Sequence, residues 1–263
     1  MEASKIRAEA RQILKGKWGK CAIYSLVYLL ITIIYSLLST HFSESSISSI
    51  INIIWYIISV PISYGLVATF MKVYSNELVS PFYFLSEGFN NFKKSWGITL
   101  QILLKLIGWI ALLILSIVLL AIGFAGYLIS ASTSAETLLA GMGSLGFFAL
   151  ILYLISIIGI IIKSFSYVLS YFILFDEPDL PSKEIVKKSE QLMKNNKSKY
   201  FWLCLTFIGW SILSVFTFGI GYLFLIPYIQ IAVVVFYKHL LNNSTNNVDT
   251  SSNENDNNVI KEI

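Results

Sequence analysis

The chain has 263 residues, of which 56% are hydrophobic and 13% charged, with a mean hydropathy of +0.72 and a formal net charge of +4. A soluble domain of this length would need far more polar cover, so the composition describes a membrane chain and excludes a soluble one. The basic residues cluster beside apolar stretches, where anionic inner-leaflet lipid would meet them, so membrane lipid rather than nucleic acid is the expected partner.

The first element is an amphipathic segment from Ser4 to Lys15, with Ile6, Ala10, Ile13 and Leu14 on one face, Ser4 as candidate N-cap and Gly16 as stop. The apolar run that follows lacks a small-residue cleavage site, so a removable signal peptide is not expected. A hydrocarbon core about 30 Å thick takes roughly 20 apolar residues to cross. Six stretches meet or approach that length: about 20 to 39, 47 to 71, 98 to 130, 144 to 175, 200 to 217 and 221 to 240. Pro61 and Pro227 fall inside spans, where a kink is tolerated. The third and fourth stretches are longer than a bilayer requires and must tilt, bend or project, with Gly123 and Gly126 as bend points. Thr217 to Gly221 reads as a tight glycine turn that makes the last two spans an antiparallel hairpin.

Two more amphipathic segments precede the third and fifth spans. One opens with Ser80-Pro81, as N-cap and first helical residue, and spaces Leu85, Phe89, Phe92 and Trp96 along a helix face. The other, Ser182 to Lys197, turns Ile185, Ser189 and Leu192 inward and pairs Glu184 with Lys188 and Glu190 with Lys194. Loops near His41, Glu136 and Gly219 carry no Lys or Arg, whereas the N-terminus and the alternate loops carry nearly all of them. By the positive-inside rule both termini of this multi-pass cell-membrane protein are cytoplasmic. The reading is thus an all-α membrane protein, with six transmembrane helices in residues 1–241 and three cytoplasmic amphipathic surface helices. Residues 242–263, rich in Asn, Ser, Thr and Asp, read as a disordered cytoplasmic tail.

The recurrence of surface helix plus two spans suggests three repeats in one orientation. Lys15-Gly16-Lys17-Trp18-Gly19 and Lys93-Lys94-Ser95-Trp96-Gly97 share a Lys-x-x-Trp-Gly pattern, and Ser198 stands at the corresponding place in the third copy. Pro61, Phe70 and Lys72 match Pro227, Phe236 and Lys238 in spacing, and Tyr64 matches Tyr167. The plain alternative is that any interfacial junction favours Lys and Trp.

The stretch from Ile185 to Lys238 resembles the bacterial membrane proteins grouped as the domain of unknown function 975 family. Ser189 to Lys194, Phe207-Ile208-Gly209-Trp210, Thr217 to Gly221, Pro227-Tyr228 and Phe236-Tyr237 carry the resemblance. At the other end Ala10-Arg11, Leu14-Lys15-Gly16 and Trp18-Gly19-Lys20 look like the family's opening. The chain departs at Ser198, where the family often has tryptophan, and in the middle spans. The resemblance implies a multi-span integral membrane protein and nothing about activity.

No Asp or Glu lies within the six apolar stretches, which disfavours ion-coupled transport through intramembrane carboxylates. Away from the ends of these stretches, the charges inside them are Lys105 and Lys163. Lys105 is close enough to Trp96 to snorkel to the cytoplasmic headgroups. Lys163, with Tyr167, Ser170 and Tyr171, continues a polar stripe. Lys163, Lys105, Tyr167 and Tyr171 are therefore candidate contacts for an anion or lipid headgroup, against the plainer reading of snorkelling and helix packing. Trp18 and Trp96 read as interfacial anchors. A second stripe, Ser25, Tyr28, Thr32, Tyr35 and Ser39, reads as packing. Gly141-Met142-Gly143-Ser144-Leu145-Gly146 copies the dinucleotide glycine pattern by letter but follows no strand. His41 and His239 fall on opposite sides, Cys21 and Cys204 read as packing residues, and Asp176, Glu177 and Asp179 read as a solvated capping loop. No catalytic, metal or cofactor residues are expected. The expected role is a non-enzymatic inner-membrane protein that organises, senses or moves a lipid-like or amphipathic partner, with a membrane protein or second copy as a further partner. The competing readings are a small-solute transporter or export component and, third, a lipid-modifying enzyme.

Overall fold

In the computed structural model the backbone is described at residues 2–43, 46–130 and 145–261, and side chains at 2–43, 46–125 and 146–244. The described residues form helices and no strand. In chain order the helices are α1 (Ala3–Leu14), α2 (Trp18–His41), α3 (Ser46–Tyr74), α4 (Tyr83–Asn90), α5 (Phe92–Ser130), α6 (Leu145–Phe165), α7 (Ser170–Asp176), α8 (Ser182–Met193), α9 (Lys197–Phe216) and α10 (Tyr222–Lys261). Six helical segments are long and apolar enough to cross a membrane: Trp18–His41, Ser46–Tyr74, Phe92–Ala125, Gly146–Asp176, Lys197–Phe216 and Tyr222–Ser244. The protein is an all-helical, multi-pass membrane protein.

The overlong stretches resolve differently. α5 continues through Gly123 and Gly126 as one helix, whereas the fourth stretch breaks between α6 and α7. At the break, amides bond three residues back, Ser166 N to Lys163 O and Tyr167 N to Ser164 O. Pro61 and Pro227 sit inside α3 and α10 and are both buried. α10 runs on to Lys261, where composition predicts an unfolded tail. No Gly or Pro follows Pro227 to stop it, and side chains beyond Ser244 lie outside the described residues. So do the segment near Glu136 and Gly141 to Ser144 of the glycine pattern.

The chain divides into two compact units, Met1–Thr99 with Leu169–Ile263, and Leu100–Val168. In the larger unit each short helix packs on a spanning segment: α1 on α10, α4 on α3, and α8 on α7. α1 buries Ile6, Ala10 and Leu14, and α8 buries Ile185, Val186, Ser189 and Met193, with Leu192 only half-buried. α4 buries Phe84 and Gly88 instead of the face through Leu85 and Phe89, and Phe89, with Phe92 at the start of α5, is exposed. Glycine is the reason. A Cβ on Gly88 would fall on the Pro61 carbonyl, and a Cβ on Gly65 would fall on that of Phe84, so the two backbones meet directly along this face. α4 also starts later than its sequence signal, because Ser80 to Phe82 form a turn in which Ser80 Oγ accepts from Phe82 N at 3.5 Å.

α1 and α8 end in the same way. Lys15 and Lys194 are extended (φ −57°, ψ 124° and φ −60°, ψ 126°), and each donates to the Gln three residues before it. Gly16 and Asn195 then take left-handed φ of 79° and 65°. Gly16 is thus the stop that the sequence signals. Counted from these turns, Lys197 and not Ser198 occupies the place of Trp18. The N-terminus of α1 differs from expectation, since Glu2 is the N-cap residue and Ser4 Oγ only donates to its carboxylate at 3.5 Å.

In the smaller unit α5 and α6 meet where Gly159 makes room for the Trp109 ring, and where a Cβ on Gly123 would touch the Gly146 Cα at 3.6 Å, an ordinary contact. Leu104, Ile107, Ile114, Leu154 and Ile158 are exposed, as side chains facing lipid tails can be at no cost.

Candidate functional site

Within the smaller unit the structure brings Lys105 and Tyr167 together, with the ammonium 5.6 Å from the ring centroid, a cation–π distance. Lys163 lies in the same unit and lines a hollow of ≈ 270 Å³ with Trp109 and Gly159. Tyr171 belongs to the larger unit, where its hydroxyl shares a 2.9 Å hydrogen bond with Thr99 Oγ1 and its ring meets Tyr64 edge-on at 5.9 Å. The polar stripe of α2 splits. Ser25 and Thr32 donate to carbonyls of their own helix, while Tyr35 and Ser39 both donate to Asn52 Oδ1 at 2.9 and 3.1 Å, and Tyr35 stacks on Trp55 at 4.2 Å.

Both tryptophan anchors pack on a spanning helix at similar places. Trp96 Nε1 donates to Ile57 O at 3.0 Å, four residues before Pro61. Trp18 lies 6.4 Å from Phe224 and 6.2 Å from Tyr228, on either side of Pro227. The acidic loop is a fastening and not a free cap. Asp176 accepts from Tyr237 Oη at 2.9 Å and from Lys238 Nζ at 2.7 Å, tying α7 to α10. Lys188, spaced for Glu184, reaches Glu177 because that carboxylate stands just beyond the end of α7. His239 meets Glu9 at 2.7 Å, which fixes α1 to α10. Outside the spans, burial and the neighbouring Glu87 carboxylate push the Tyr83 phenol up to about 12.

A larger apolar hollow, ≈ 360 Å³, lies where α1 and the start of α2 meet the α9–α10 hairpin. Trp18, Trp210, Leu213, Phe224 and Tyr228 form its walls, with Arg11 the one charged side chain among them. Arg11 Nη1 donates to Tyr228 Oη at 3.3 Å, and Tyr228 Oη in turn reaches Arg7 O at 3.4 Å. At the hairpin end the polar atoms are already satisfied: Thr217 Oγ1 donates to Ser214 O and accepts from Gly221 N, and Ser214 Oγ donates to Trp210 O. Gly221 has to be glycine here, because a Cβ would come within 2.8 Å of Ser214 Cα.

Sequence reasoning did not assemble this hollow. Its residues stand apart along the chain, in Ala10-Arg11, Trp18, Trp210, Thr217 to Gly221 and Pro227-Tyr228, all of which carry the family resemblance. Arg11 and Tyr228 are 217 positions apart, and no periodicity connects them.

A family model described as a protein of unknown function (DUF975) matches residues 1–244. No curated protein and no solved structure matches the chain. The matched segment takes in all six apolar spans, the three short helices and the walls of the hollow, and the chain belongs to the DUF975 family of proteins of unknown function.

Proposed function

We propose that this is a non-enzymatic protein of the cell membrane that holds and organises lipid-like amphipathic molecules at the inner face, with both termini in the cytoplasm. The observation that carries the reading is the way the short helices are seated. Each fixes one apolar or small face on a spanning segment and leaves basic or aromatic side chains outward: Arg11 and Lys15 on and after α1, Phe89, Phe92 and Lys93 about the end of α4, Lys183 and Lys187 on α8, then Phe201 and Trp202 at the start of α9. Such a rim of exposed rings and cations suits the headgroup region of an anionic leaflet.

Three repeats complete the reading. Ile6, Phe84 and Ile185 are equivalent buried positions, as are Ala10, Gly88 and Ser189, at constant offsets from one short helix to the next. Phe70 and Phe236 are both fully buried after a buried proline. Each short helix rests on the second span of the unit before it, and α1 rests on α10, so the order closes on itself.

Mass spectrometry of lipid retained by the purified protein tests the function. Lipid held in fixed proportion to protein, without solute flux in reconstituted vesicles, is the expected result; solute-dependent flux selects the transporter reading. For orientation, single thiols introduced at Ser4 and Lys188, in a background lacking Cys21 and Cys204, should resist labelling from outside, while one at the fully exposed Phe218 reacts. The reverse pattern overturns it.

A further inference from the structure

We infer that the hollow between α1 and the α9–α10 hairpin is a binding site for one chain of an anionic lipid, with its phosphate-type head at Arg11 and its acyl chain running toward the turn at Thr217 to Gly221. This rests on the proposed handling of lipid-like molecules and names the site and the ligand class. Three features point the same way.

The first is shape and polarity. A hollow of ≈ 360 Å³ falls within the range of small-ligand pockets, roughly 300 to 1,000 Å³. Trp210, Leu213 and Phe224 on its walls are about half exposed, at 50%, 54% and 47%, so large apolar surface faces the space. From Tyr222 to Tyr228 α10 provides seven residues of helix, about 10 Å, to hold part of an acyl chain.

The second is charge. A guanidinium offers five donors in a planar fork that matches phosphate, and Arg11 uses one toward a neutral phenol. Among the described residues no carboxylate pairs with it, because the nearest acid along α1, Glu9, is taken by His239. Arg7 precedes Arg11 by one helical turn, which makes them neighbours, and its Nε is buried without a hydrogen-bond partner among the described residues. Arg11 thus lines the hollow with donors to spare, and Arg7 adds a second positive charge one turn away along α1.

The third is direction. At the other end Ser214, Thr217 and the Gly221 amide bond one another, so nothing there calls for a polar ligand atom. An amphipath entering head to Arg11 puts its anion at the guanidinium and its apolar chain against Trp210, Leu213 and Phe224. A lipid with net negative charge suits this end better than a zwitterionic one, whose own cation would face the positive charges of Arg7 and Arg11.

The test uses the full chain in nanodiscs of equal phosphatidylglycerol and phosphatidylcholine, taken into detergent, washed and weighed by native mass spectrometry. The wild type should retain phosphatidylglycerol at about one per chain, in excess over phosphatidylcholine. Arg11→Gln, which keeps a donor for Tyr228 and removes the charge, should lower retained phosphatidylglycerol at least fivefold and abolish the preference. Leu213→Trp, which fills the hollow and leaves Arg11 in place, should lower retention of both lipids. Size-exclusion profiles and thermal midpoints matching wild type confirm that each variant is folded, and either variant alone suffices if the other aggregates. Retention unchanged in the folded variants overturns this site while leaving the broader reading intact, since lipid is still held elsewhere. Wild type that holds no lipid overturns both. Wild type that binds inorganic phosphate in the same wash, with no lipid, marks a free-anion site and overturns the acyl-chain assignment.

Discussion

The joint between α4 and α3 and the joint between α1 and α10 are built from helices of the same kind and close in opposite ways. α4 lies backbone to backbone on α3, because Gly65 and Gly88 carry no Cβ to hold the helices apart. α1 buries Ala10, which keeps its Cβ, and is fastened by side chains, Glu9 to His239 and Arg11 to Tyr228. The first joint leaves no space, and the second opens onto the ≈ 360 Å³ hollow beside it. Small residues thus decide where two helices seal, and larger ones where a molecule can enter.

The seal is the easiest part to break. Gly65→Val places a branched side chain in the Phe84 backbone, where no flexible neighbour can yield, and should cost about 3 kcal/mol or more. A lowered thermal midpoint in detergent would register this. Gly19→Ala, with nothing within 4 Å of its Cβ, is the comparison and should shift stability by less than about 1 kcal/mol. Equal effects at the two positions would mean that α4 is not sealed by glycine.

Next in size are the outward rings about the end of α4. Phe89→Asp with Phe92→Asp should lift this segment from the bilayer, because burying each ring in lipid contributes about 1.5 to 3 kcal/mol. Spin labels on α4 should then move to shallower depth, with the fold retained, since these rings are exposed in the protein. Unchanged depth would make α4 a purely internal brace.

The fastening of α7 to α10 should cost less. Asp176→Ala removes charge-assisted bonds to Lys238 and Tyr237 on groups about a quarter exposed, an effect of about 1.5 to 3 kcal/mol at most. Lys188→Ala, at a pair with both partners more than a third exposed, should cost below about 1 kcal/mol. Thermal midpoints of the two variants, ranked in that order, would support a functional difference between fastening and surface pairing.

The smallest effect is alkaline. Tyr83 keeps its proton up to about 12 in the folded protein, against an ordinary value of 10. The folded state therefore holds a proton that the unfolded state gives up as pH rises above 10, so this contribution is full below pH 10 and fades toward pH 12. Tyr83→Phe should flatten that part of the stability profile. A profile unchanged by the substitution would place the phenol in ordinary solvent.

The six spans, the two prolines within them, the glycine stop after α1 and the hairpin at Thr217 to Gly221 were legible along the chain, because each is set by neighbours within a few residues. Apolar run length answers to bilayer thickness, and a left-handed turn answers to the residue that must adopt it. Tertiary structure decided which face of α4 is buried, that Asp176 serves α10, that Tyr171 turns to Thr99, and that Arg11 shares a hollow with Trp210. Those outcomes depend on which backbones can approach across a gap of many residues. A Cβ present or absent on the facing helix settles that, and no local pattern records it.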